Sequence, residues 1–177
     1  MLLLFAALNI AVMYSAGALA HGADEIDNVP DGVIMAQLAE LPDISGLQVI
    51  LLDGVPQGIM VSYQGSRELV VSGLDGEPFL RFDSEGVLAN TGSATWRVMQ
   101  STDNKAAPDE GWLRVSETRS FGWMDPRLSL ESAPHHGSQP QELERWHINV
   151  RIEGENSDRI GGVIYWQPLQ KTSPRSL

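Results

Sequence analysis

Between Val33 and Trp166 the chain is a succession of short apolar or alternating runs, each closed by Gly, Pro, Asp or Asn. Val33–Leu41, Leu47–Leu52, Gly58–Tyr63, Glu68–Ser72, Phe79–Phe82 and Val87–Ala89 follow one another at intervals of roughly ten residues. Ala94–Met99, Trp112–Thr118, Arg127–Glu131, Trp146–Ile152 and Gly162–Trp166 continue the series. Runs of this length and spacing predict an all-β domain, a single antiparallel β-sandwich, immunoglobulin-like or related. Asp53-Gly54, Asp75-Gly76 and Glu85-Gly86 put glycine where a tight turn needs a positive φ. Met35, Ala36, Gln37, Leu38 and Ala39 also suit a helix, but Pro42 and the surrounding strand spacing favour a strand over Val33–Leu41. Ile59 and Val61 alternate with Met60 and Ser62, and Leu69 and Val71 with Val70 and Ser72. Apolarity on both faces is expected of strands sandwiched inside a core.

Ahead of these runs, Met1–Ala20 is almost wholly apolar and ends in Ala18-Leu19-Ala20, the small-x-small pattern of a signal-peptidase site. Residues 1–20 therefore read as a cleaved signal peptide, and the mature chain begins at His21. The segment opens Met1-Leu2-Leu3-Leu4 with no basic residue, so an uncleaved N-terminal anchor is the alternative. Residues 21–32 read as an extended acidic arm, 33–168 as the sandwich and 169–177 as a frayed polar tail. Asp103–Glu110 and Ala133–Glu144 read as loops.

Charge and cysteine usage narrow the class. The chain carries 23 acidic and 12 basic residues, a formal charge of −11. That balance argues against nucleic acid or anionic lipid as a partner, since both need a basic patch. No cysteine is present, so no disulfide framework holds the fold and the core must. An exported chain of this kind fits a bacterial periplasm or cell exterior.

Two stretches carry a family resemblance. The first is Asp75-Gly76-Glu77-Pro78-Phe79-Leu80-Arg81-Phe82, continued by Asp83-Ser84-Glu85-Gly86-Val87 and Asn90. The second is Trp123-Met124-Asp125-Pro126-Arg127, followed by Trp146, Gly154, Gly161, Gly162 and Trp166. Their order resembles a β-rich family of exported bacterial proteins with "GEPYLR" and Trp-x-Asp/Glu-His/Pro-Arg motifs and no assigned activity. The resemblance implies a shared exported β-domain. Many such proteins read Trp-His-Asp-His-Arg, whereas Met124 and Pro126 stand in the two histidine places here, so any nitrogen-rich metal site there would be lost. The expected role of Trp123, Asp125 and Arg127 is structural, with Asp125 and Arg127 pairing or capping a turn and Trp123 in the core; recognition is the alternative.

Catalysis has the least support. The chain holds no Gly-x-Ser-x-Gly elbow, no cysteine nucleophile, no phosphate-cradling glycine loop and no His-Glu-x-x-His helix. Asp75 and Glu77 are better placed to make a turn than an acid–base pair. Copper is the sharpest chemical candidate: a terminal His21 offers its α-amine and an imidazole nitrogen as one chelate, completed by His135 or His136. If so, His21→Ala should weaken Cu(II) binding to the processed chain by about tenfold or more in a competition titration. The expected role is a non-catalytic accessory module that binds an envelope protein or polymer, with most of the five tryptophans filling the core. An exposed tryptophan would then serve as an anchor.

Overall fold

The computed structural model describes residues 31–54, 56–101, 111–130 and 138–169. These form strands β1 (Gly32–Glu40), β2 (Leu47–Leu52), β3 (Gly58–Tyr63), β4 (Leu69–Ser72), β5 (Pro78–Asp83) and β6 (Gly86–Asn90). Helix α1 (Ala94–Ser101) comes next, then β7 (Trp112–Ser116), β8 (Ser120–Met124), a 3-10 turn (Pro126–Leu128), β9 (Gln141–Ile152) and β10 (Asp158–Pro168). The strands make two antiparallel sheets, ordered β1-β10-β9-β4-β5-β6-β7 and β2-β3-β8. Packed together they give the all-β sandwich that the run spacing predicts. Among the described residues no helix is long and apolar enough to cross a membrane.

Period-two patterning decides which face of each strand enters the core. In β9, Trp146, Ile148, Val150 and Ile152 are buried while Arg145, His147, Asn149 and Arg151 face out. Across the large sheet, Ile152 lies opposite Leu69, Leu69 opposite Phe82, and Phe82 opposite Val87, a buried row through four strands. The small sheet answers with Val49, Ile59, Val61 and Trp123. Trp123 joins the layers, meeting Phe79 edge-on at 5.6 Å and stacking with Phe121 at 6.4 Å. Each fully buried side chain of this size stabilises by about 1.5–3 kcal/mol relative to exposure, so the interior suffices without a disulfide. At the edge of the large sheet, the Gln57 side chain accepts the Ala36 N–H of β1 and blunts that edge.

Three segments differ from the pattern-based expectation. Ala94–Met99, expected as a strand, lies in α1. Ser93 caps it by accepting the Trp96 N–H at 3.1 Å, and Glu77, from the β4–β5 turn, accepts the Ala94 N–H at 2.9 Å. Its apolar residues divide by face, Trp96 buried and Val98 exposed. Arg127–Glu131, also expected as a strand, begins within the 3-10 turn, because Asp125 caps Pro126–Leu128 and proline suits the first helical position. The expected loop Ala133–Glu144 ends earlier, since β9 starts at Gln141 and pairs with Trp166. Asp75 and Glu77 do lie about a turn: Gly73 N–H bonds Glu77 C=O at 2.7 Å, and Gly76 takes φ +79°.

Candidate functional site

Asp125 is 1% exposed and sits between Trp123 and Arg127. Its Oδ2 accepts the Trp123 indole N–H at 2.9 Å and Arg127 Nη2 at 2.7 Å. Its Oδ1 accepts the Arg127 backbone N–H at 3.0 Å and Arg127 Nε at 2.8 Å. Burial alone would raise this carboxyl. The Arg127 guanidinium, the indole and the backbone N–H together outweigh it and hold Asp125 below the usual carboxylate range. Arg127 also reaches the carbonyls of Gly73 and Ser72 at 3.4 Å, tying the 3-10 turn to the end of β4. Every oxygen of Asp125 is thus engaged inside the fold, and the motif clamps β8 to the large sheet.

His21, His135 and His136 lie outside the described residues. His147 is described and stands exposed on β9. Among the described residues no group of three His, Cys, Asp or Glu side chains is arranged to hold a metal ion. Of the five tryptophans, Trp96, Trp123, Trp146 and Trp166 are buried, and Trp112 is 41% exposed on β7 with the Arg81 guanidinium 4.9 Å from its ring centroid.

The outer faces of the two sheets differ in kind. On the large sheet the register aligns Arg151, Val70, Arg81, Leu88 and Arg114 in one row across β9, β4, β5, β6 and β7. Arg81 Nε bonds Glu68 at 2.9 Å, and Arg114 bonds Glu85 at 3.1 Å. This is a solvated face whose exposed ion pairs contribute about 1 kcal/mol or less each.

The outer face of the small sheet has no charge. Its three rows are Gln48–Ser62–Ser120, Ile50–Met60–Gly122 and Leu52–Gly58–Met124. Ile50 is 48% and Met124 49% exposed. Leu52 spreads over Gly58 and Gly122, where an added Cβ would come within 3.4 Å and 3.1 Å of its side chain. In a chain where 20% of residues are charged, a whole sheet face of serines, glycines and apolar side chains stands out. The signal was visible in sequence as the two-sided apolarity of β3. Met60, however, points to this outer face and not into a core layer. No family model, curated protein or solved structure matches the chain.

Proposed function

We propose that this chain is an exported, non-catalytic binding module that receives an apolar segment of a partner protein on the outer face of the β2-β3-β8 sheet. The observation that carries this reading is the uncharged face around Ile50, Leu52, Met60 and Met124. Export rests on the apolar Met1–Ala20 and its small-x-small end. Three short strands present on the order of 250 Å², from spacings of about 4.8 Å across and 3.3 Å along a strand. A stable pair of copies needs about 800 Å² per side, and two chains of charge −11 repel each other. The face therefore suits one helix or extended segment of another protein, with basic flanks complementary to this acidic chain.

The test places a photo-crosslinking residue at Ile50 or, as control, at Arg151 on the large sheet. Crosslinking at position 50 should give one adduct, mapped by mass spectrometry to an apolar segment with basic flanks, and position 151 should not. Ile50→Asp should leave the melting temperature unchanged, since the side chain is half exposed, and weaken the mapped segment by about tenfold or more. Equal adducts from both faces, or adducts only to a second copy, would overturn the reading.

A further inference from the structure

The glycines Gly161 and Gly162 sit mid-strand in β10, where glycine destabilises relative to alanine. Packing accounts for one of them. A Cβ on Gly162 would lie 2.0 Å from the Gln37 carbonyl oxygen and 2.6 Å from the Trp146 ring. A Cβ on Gly161 would meet nothing closer than Glu40 Oε2 at 3.4 Å, an ordinary contact with the tip of a flexible side chain. Packing does not require glycine at 161; a mid-strand glycine marks a bulge or a place where a ligand or another backbone comes close, and here a bulge and a surface depression meet.

What surrounds that gap is chemically specific. Gly161 lies opposite His147 on β9 and Glu40 on β1. The Glu40 pairing depends on a β-bulge: Leu38 faces Gly162 and Glu40 faces Gly161, so Ala39 is the extra residue. Without the bulge Ala39 would stand opposite Gly161; with it a carboxylate is brought over the gap. Arg159, two residues along the same face, bonds Glu40 Oε1 through Nε at 3.0 Å, and among the described residues its two terminal nitrogens have no bonded acceptor. Glu40, Arg145, His147 and Arg159 line a depression of about 360 Å³ over Gly161. Arg145 is paired at 2.9 Å with Glu142, which lies outside the depression, so Glu40 and Arg159 are the charges left to face a ligand.

We infer that this depression binds a small zwitterion with an ammonium and a carboxylate on one carbon, an α-amino acid. The ammonium sits over Gly161 against Glu40 Oε2. The carboxylate takes the free fork of Arg159, whose planar donors match it, with His147 beside it. Glu40 and Arg159 side by side offer one partner for each sign, which selects a ligand that carries both over a bare anion or cation.

The experiment follows the His147 ring proton by NMR, assigned with His147→Gln, while alanine, lactate or ethylamine is added to the full chain. Lactate lacks the ammonium and ethylamine lacks the carboxylate. Alanine should give a saturable shift on the order of millimolar, as expected of so open a site, with the other two at least about tenfold weaker. Gly161→Leu should fill the gap and lower alanine affinity about tenfold or more, while Gly161→Ala verifies that the position tolerates a side chain without unfolding. Dialanine, whose charges lie farther apart, should bind more weakly than alanine, which assigns the site to a free amino acid and not to a chain end. No saturable shift with alanine, equal response to lactate, or wild-type affinity in Gly161→Leu would each overturn the inference. None of these outcomes bears on the β2-β3-β8 face.

Discussion

Replacing Asp125 by alanine is expected to destabilise the fold by about 3–5 kcal/mol, the range for removing one partner of a buried ion pair. Asp125 accepts four hydrogen bonds, and its loss strands their donors: the Trp123 indole inside the core, the Arg127 backbone N–H at the 3-10 turn, and two nitrogens of a guanidinium only 19% exposed. Most of the penalty comes from Arg127, left as a largely buried charge whose remaining acceptors are the carbonyls of Gly73 and Ser72. Asp125→Asn keeps the shape and the cap but removes the charge, and should lose less. The pH dependence follows from the lowered Asp125 carboxyl. A carboxyl held lower in the folded than in the unfolded chain stabilises the fold above its unfolded value, about 3.9. That contribution disappears as pH falls through the folded value. Urea unfolding of the wild type and Asp125→Asn from pH 7 down to pH 2 checks this. The stability difference between them should be constant above about pH 5 and shrink below about pH 4. A difference that persists unchanged in acid would show that the charge of Asp125 is not what stabilises.

Gly162→Ala is also expected to be damaging, costing about 3 kcal/mol, the upper end of ordinary overpacking. The added methyl would sit 2.0 Å from the main-chain oxygen of Gln37 and against the Trp146 ring at 2.6 Å and 2.7 Å. The carbonyl belongs to β1, hydrogen-bonded to β10, so relief requires the two strands to part. Trimming Trp146 would free the ring side and leave the carbonyl clash in place. A thermal scan should therefore show Gly162→Ala melting about 6–12 °C below wild type. Gly161→Ala, one position away, should melt at or slightly above the wild-type temperature, since its φ is not left-handed and alanine restricts the unfolded chain. Equal losses at both positions would mean that the strand tolerates no side chain there at all, and the reading of Gly161 would fail with it.

The strand reading succeeded where burial follows local alternation. In β9 the apolar residues recur every second position from Trp146 to Ile152, and a pleated strand turns that spacing directly into a core face. It failed where a partner distant in sequence decides the local state. Ala94–Met99 is apolar enough for a strand, yet Glu77, seventeen residues earlier, satisfies the first helical N–H and Ser93 the third. The capping serine was visible; the reach of Glu77 was not. Arg127–Glu131 departs from a strand for a local reason: Asp125 followed by Pro126 already marks the start of a helical turn.

The candidate sites show the same division. That Asp125 and Arg127 pair across one intervening residue was legible, because a turn brings such neighbours within reach. That the Trp123 indole completes the set depends on β8 being held in the core by Phe79 of the other sheet. Met60 showed in sequence that β3 is apolar on both sides. Which side faces water could not be read, because a strand with two apolar faces does not say which of them a second sheet covers.

By itself the sequence determined the β class, the apolar character of the strands, the positive-φ turns at Gly76 and Gly86 and the acidic, cysteine-free character of the chain. All of these depend on residues within a few positions of one another. Tertiary structure alone decided that Gly161 is dispensable to packing and Gly162 is not, that a bulge sets Glu40 over the gap, and that the small sheet leaves Ile50 and Met124 half exposed. Those outcomes hang on which strand lies opposite which, and register between distant segments emerges only when the two sheets close on their shared core.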